Sequence, residues 1–338
     1  MRYEMRKACI VVNDYYKKNR LFDLDDSFAN RDNWLFGFHL LKTEFRRQGI
    51  DLSTHDINSI RESEIVIFND MPETIPAKAP GQVFFLLALE SIAVLPANFN
   101  LYRYDLFDKI FTWKDDIIDG AKVIKINYSF QFDYHFSLDL GDKEKLCCMI
   151  VNNKYSCHEN ELYSARIEAI KWFEKHHPDE FDLYGSGWDQ YFSDRFLNKV
   201  IRRARLGSLI KRRRYQCYRG TVPSKVPTLK KYRFTLCYEN VRDIPGYITE
   251  KIFDCFFAGS VPIYLGAGNI TEHIPLGCFI DKREYATYDE MYRYLTGMTD
   301  ATYISYLENI RAFLDSPASY EFTADNFVHK IIGEINAG

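Results

Sequence analysis

The sequence contains no apolar run longer than the seven residues 83–89. A helix needs roughly 20 to cross a bilayer, so an integral helical membrane protein is excluded. No two of the eight cysteines stand in C-x-x-C spacing, which argues against a zinc knuckle or a disulfide framework and fits a reducing cytoplasm. There is no G-x-G-x-x-G, so a dinucleotide-dependent dehydrogenase is disfavoured. The chain opens with charged residues ahead of a short apolar run, unlike a secretory signal. Neither an internal repeat nor a low-complexity tract occurs. One further absence is local: between residues 195 and 238 there is no Asp or Glu, against 14 Lys and Arg. The rest of the chain then holds 30 basic and 47 acidic residues. A positive segment in an acidic protein points to an anionic partner, namely a phosphate, an acidic lipid surface or nucleic acid.

What is present is a 338-residue chain with 46% hydrophobic and 27% charged residues, the composition of a globular protein of one or two domains. Phe and Tyr are abundant, 26 and 24 against 4 Trp. Short apolar runs at 7–12, 65–69, 83–89, 107–113 and 122–127 read as strands, with an amphipathic helix over 32–47. A polar stretch at 133–145 interrupts the series, and a second one follows. Its strands are expected at 146–151, 181–184, 234–238 and 261–265, its helices at 159–173, 195–206 and 250–258, with more helix from 288. Strands that are continuously rather than alternately apolar signal parallel sheets covered on both faces. The expectation is an α/β protein of two Rossmann-like doubly wound domains, 1–140 and 141–338, facing a central cleft. Ligands in such sheets bind beyond the C-terminal strand ends.

The segment 233–268 carries the clearest chemistry. A buried strand ends in Glu239-Asn240, a loop with Pro245 and Gly246 follows, and Thr249 stands where a helix N-cap belongs. Gly259 closes that helix. Its first N–H groups have no internal partner and carry partial positive charge, so they form an anion site. Lys251 in the first turn opposes the helix dipole, which makes sense if a phosphate sits there. Glu250 is placed to accept hydrogen bonds from ribose hydroxyls.

The motifs Tyr238-Glu239-Asn240, Tyr247-Ile248-Thr249-Glu250-Lys251 and 258–263 (Ala-Gly-Ser-Val-Pro-Ile) resemble the signature of the α1,3-fucosyltransferases of glycosyltransferase family 10. The segment 160–166, ending in Arg166, is similar to the family stretch whose Arg contacts the donor pyrophosphate. Tyr218-Arg219-Gly220 through Lys225 and the run 231–234 also look family-like. Leu89-Glu90-Ser91 with Asn98-Phe99-Asn100 is similar to the stretch holding the family's proposed base. The likeness runs from about residue 89 to 275. The chain departs from the pattern at Val241, where Ser is usual, and at Ile92, where the animal enzymes have Pro.

The resemblance implies a GT-B fold and an inverting transfer of L-fucose from GDP-β-L-fucose to a glycan hydroxyl, O3 of GlcNAc, without an essential metal or other cofactor. It assigns acceptor binding to the first domain and the donor to the second. Glu90 would be the general base at the edge of the first sheet, its pKa raised by partial burial. Arg166 and Lys251 would meet the charge building on the leaving diphosphate, with Lys225 a further phosphate ligand. Asn240 and Tyr247 would hold the ribose or the fucose, and Thr249 and Glu250 complete the donor set. The implied acceptors are N-acetyllactosamine-like glycans or a lipopolysaccharide O-chain. The implied place is the cytoplasm, peripheral to the inner face of its membrane through the basic run 211–214; a nucleic-acid partner is not expected. Rival readings are a GT-B enzyme using another GDP-sugar, a metal-dependent site at Asp23-Leu24-Asp25, and a non-catalytic protein that binds anionic surfaces through 195–233. His176-His177 reads as a helix end rather than a metal pair, and His273 as a lesser candidate for donor or acceptor contact.

Overall fold

Each strand-like run is buried over most of its length and pairs only with parallel neighbours, as continuous apolar runs require. The computed structural model describes residues 5–141, 143–189 and 215–337. The helix expected at 195–206 and the basic run 211–214 lie outside them.

The chain divides into two units, residues 1–133 with 244–250 and 315–338, and residues 134–243 with 251–314. The first holds a six-stranded parallel sheet in the order β2-β1-β3-β4-β5-β6. Its strands are β1 Arg6–Val11, β2 Ile50–Thr54, β3 Ile65–Asn69, β4 Val83–Ala88, β5 Lys109–Thr112 and β6 Val123–Lys125. Helix α1, Phe36–Arg47, buries Gly37, Phe38, Leu41 and Phe45. It starts four residues later than the sequence suggests because Asp32 and Asn33 adopt positive φ (55° and 61°), which no α-helix admits.

The second unit holds a five-stranded parallel sheet in the order β11-β10-β9-β7-β8. Here β7 is Lys145–Ile150, β8 Phe181–Tyr184, β9 Tyr232–Tyr238, β10 Val261–Leu265 and β11 Ile280–Asp281. Helix α2 spans Tyr163–His176, not 159–173. Residues before it are taken by other partners: Glu161 bridges Val241, and Leu162 N donates to the Asn240 carbonyl (3.0 Å). Helix α3, Glu250–Ala258, ends in a Schellman arrangement, with Gly259 N on the Phe256 carbonyl and Ser260 N on that of Cys255. Helices α4 (Tyr288–Gly297) and α5 (Asp300–Leu314) follow. His176 ends α2, and the His177 ring stacks on Tyr292 at 3.6 Å, so the pair terminates a helix.

One boundary differs from expectation. Residues 315–338 belong to the first unit, not to the second half of the chain. Phe130 and Thr323 form a parallel bridge, and helix α6, Ala324–Ala337, then lays Phe327, Val328, Ile331 and Ile332 into the core beneath α1. That apolar stripe needs a sheet face to cover, and the first sheet supplies it.

In both sheets the first strand lies between the second and the third. The connections therefore leave in opposite directions at β1/β3 and at β7/β9, and such switch points open a crevice at the C-terminal strand ends. Seven of the eight cysteines are buried and Cys157 is exposed; all are free thiols. Among the described residues no helix is long and apolar enough to cross a membrane.

Candidate active site

The switch point of the second sheet is bounded by the end of β9. Arg166, buried on α2, sends Nη2 to the carbonyls of Tyr238 (2.8 Å) and Glu239 (2.6 Å) and to Asn240 Oδ1 (3.1 Å). Its charge thus organises the chain just beyond the strand. Glu239 is fully buried, and its Oε2 accepts Lys251 Nζ at 2.9 Å. Gly266 makes room for it, since a Cβ there would stand 2.6 Å from Glu239 Cγ. The lysine that opposes its own helix dipole is therefore compensated by a carboxylate of the protein. The sequence named Glu239 in a motif but gave it no role; the signal for one is a carboxylate closing a buried strand twelve residues before a helix-start lysine. Lys225 Nζ binds Oδ2 of Asp254, a buried residue of α3, at 2.6 Å. As a phosphate ligand Lys225 would have to share its ammonium between that carboxylate and the phosphate.

The first unit gathers the other candidates. Glu90 follows β4 by two residues and is exposed, so the burial expected to raise its pKa is not there. What the fold supplies instead is a rigid seat. Asp70 Oδ1 accepts the N–H groups of Leu89 and Glu90, both at 2.9 Å, and Asn98 Nδ2 at 2.7 Å. Asn98 Nδ2 also reaches the Glu90 carbonyl (3.1 Å). The Leu89 carbonyl accepts Trp113 Nε1 and Tyr128 OH, both at 2.6 Å. Asp70 holds a left-handed φ of 68°, a strain that persists only where the surroundings enforce it. Burial raises its pKa, against the lowering pull of those N–H bonds. The Tyr128 hydroxyl is pushed well up by burial, with smaller contributions from the charges of Tyr247, Glu90, Glu250 and Asp70.

Tyr247 is 1% exposed, its ring 4.6 Å from that of Trp113 and 6.3 Å from that of Tyr128. Its ring is packed among these aromatic neighbours. Gly246 before it has φ 79°, and a Cβ would collide with the Trp113 carbonyl at 2.2 Å, so only glycine admits this approach. Thr249 is buried and immediately precedes α3, the cap position expected, with Glu250 half-buried as the first helical residue. His273 ends a short helical turn, Ile270–His273.

Among the described residues no group of three His, Cys, Asp or Glu side chains is placed to hold a metal. Asp23-Leu24-Asp25 forms a turn in which Asp23 Oδ1 accepts the N–H of Asp25.

Comparison with known proteins places the fold and the family. The human 4-galactosyl-N-acetylglucosaminide 3-alpha-L-fucosyltransferase 9 is 26% identical over 293 residues, 81% of this chain and 68% of that protein. The alpha-(1,3)-fucosyltransferase FucT of Helicobacter pylori is 28% identical over 212 residues, 59% of this chain and 41% of its own. A crystal structure of an alpha1,3-fucosyltransferase with GDP superposes with a TM-score of 0.57 at 16% identity, covering 99% of this chain and 92% of that one. An alpha-glucosyltransferase in complex with UDP and DNA reaches the same 0.57 at 11% identity, covering 99% and 100%. These likenesses show the GT-B fold and leave the nucleotide open. Residues 140–314, more than half of the chain, match the family model described as glycosyltransferase family 10 (fucosyltransferase) C-term. The chain belongs to glycosyltransferase family 10, the fucosyltransferases.

Proposed function

We propose that this chain transfers L-fucose from GDP-β-L-fucose to O3 of N-acetylglucosamine in a galactosylated glycan, with inversion and with Glu90 as general base. The observation that carries the donor half is the cluster beyond β9, where Arg166, Lys251 and the start of α3 put cationic and N–H donors at a switch point. The activities for which the relatives are named support the sugar and the linkage. A solved neighbour holding GDP-fucose supports the donor. In this reading Glu90 takes the proton of the attacking hydroxyl, and the diphosphate leaves against Arg166 and Lys251. Asn240 and Glu250 hold the ribose or the fucose. Since two cations meet the leaving group, no divalent metal is required, and activity should survive EDTA.

The test is a transfer assay with GDP-fucose and GDP-mannose against N-acetyllactosamine and lipopolysaccharide-type acceptors, with the linkage read by NMR. Fucose on O3 of GlcNAc is the expected product. A GDP-mannose product would replace the donor, and a fucosylated O-chain would replace the acceptor.

The seat of Glu90 gives a second expectation. Asp70 has a raised pKa in the folded state, so the fold binds its proton more tightly than the unfolded chain does. Its contribution to stability falls as pH rises from the unfolded value through the folded one. Asp70→Asn should therefore keep or raise Tm at pH 7, yet lower kcat about tenfold by loosening a positioned base. An unchanged kcat would reduce Asp70 to a structural residue.

A further inference from the structure

The loop that leaves β1 at the switch point of the first sheet, residues 12–35, presents aromatic rings to solvent on a braced backbone. Phe28 is 79% and Tyr15 37% exposed. Their centroids lie 6.2 Å apart, and Tyr15 meets Tyr16 edge-on at 5.0 Å. This is not a loose excursion. Asn19 N donates to Thr54 Oγ1 (2.9 Å) and Thr54 N to Asn19 Oδ1 (2.8 Å), while Lys18 N binds Asp56 Oδ2 (2.9 Å). Arg20 pairs with Asp26 and sets its guanidinium 4.4 Å over the Tyr15 ring. Lys18 and Asn19 both hold φ near 59°, and such strain persists only where side-chain bonds enforce it.

The rings lead back to the base. Trp34, at the end of the loop, lies 6.0 Å from Tyr128, whose hydroxyl binds the Leu89 carbonyl next to Glu90. Burial raises the Tyr16 hydroxyl, and the charges of Tyr15 and Glu90 add to that; the Trp34 indole is its hydrogen-bond partner. Beside Tyr15 opens a hollow of about 1160 Å³, with Lys18, Asp23, Asp26, His39 and Lys42 along its walls.

We infer that Tyr15 and Phe28, on the loop leading through Tyr16 and Trp34 to Glu90, form the stacking platform for the acceptor, a neutral oligosaccharide bearing galactose. The inference rests on the transferase reading above. A galactopyranose ring has one face of C–H groups that lies flat on an aromatic ring, while its hydroxyls need carboxylate and amine partners alongside. Rings held rigid in water, beside a polar hollow and at a sheet's switch point, offer both.

The experiment uses Tyr15→Ala, Phe28→Ala and the double variant; both side chains are exposed, so folding should hold. The acceptor KM for N-acetyllactosamine should rise about tenfold in each single variant, roughly the effect of losing one stacked ring. The affinity for GDP by calorimetry should stay at the wild-type value. Saturation-transfer NMR of N-acetyllactosamine, with GDP present and no turnover, should give strong enhancements on the galactose C–H protons of the wild type and lose them in the double variant. Because this readout needs no proton transfer, it stands even if Glu90 proves not to be the base. An acceptor KM within twofold of wild type, or enhancements that persist in the double variant, would overturn the platform.

Discussion

Glu90→Gln should bind GDP with wild-type affinity and lose about a thousandfold in kcat, within the range expected for removing a positioned general base. The substitution keeps size and leaves a hydrogen-bonding side chain, but it removes the only function the proposal gives this residue, which is to accept a proton. Stability should barely change, because Glu90 is exposed and the backbone bonds that seat it on Asp70 and Asn98 survive the substitution. A fall in kcat with an unchanged Tm and an unchanged GDP affinity therefore isolates chemistry from folding and from donor binding. Retention of more than a tenth of the activity would remove Glu90 from the base role. The carboxylate to try next is Glu250, whose charge reaches the same Tyr128 hydroxyl.

The exposure of Glu90 shifts the explanation from burial to position. Its carboxylate lies at the surface, while Asp70 Oδ1 holds its amide at 2.9 Å and Asn98 Nδ2 its carbonyl at 3.1 Å. A base fixed on such a seat gains rate through orientation.

Much of the scaffold could be read from the chain itself. Parallel strands buried on both faces leave continuous apolar runs, and the runs at 65–69, 83–89 and 261–265 coincide with β3, β4 and β10 to within a residue. Helix α3 was equally legible, because Thr249 and Gly259 mark its two ends. The destination of α6 was not. Its stripe of Phe327, Val328, Ile331 and Ile332 says that a face is buried, but a stripe does not name the sheet it covers. Asp70 escaped for a different reason: a side chain bonded to backbone N–H groups 19 and 20 residues away leaves no periodic trace, and Asn98 was legible as part of a motif but not as the partner of Asp70. The packing of Tyr247 on Trp113 and Tyr128 was not legible either, because a motif marks a residue without naming its neighbours.

Lys251→Ala should be the most destabilising single change at the donor site. It takes the Lys251 cation, 2.9 Å away, from Glu239, a carboxylate with 0% exposure. Breaking one side of a buried pair typically costs about 3–5 kcal/mol, a large share of the roughly 5–15 kcal/mol that holds a domain folded. Loss of GDP binding in that variant alone would then be ambiguous between a missing phosphate ligand and a collapsed site. The double variant Glu239→Gln/Lys251→Met separates the two. Replacing both charges by neutral groups of similar size should return Tm close to wild type, since a buried pair often contributes little net stability over its neutral replacement. Affinity for GDP should nonetheless stay reduced by about 10–100-fold, because a charge-assisted hydrogen bond to phosphate contributes roughly 1.5–3 kcal/mol. Thermal unfolding and calorimetric titration on the same samples read both quantities. If the double variant binds GDP as tightly as the wild type, Lys251 serves only as the counterion of Glu239, and the diphosphate must be held by Arg166 and the α3 N–H groups without it.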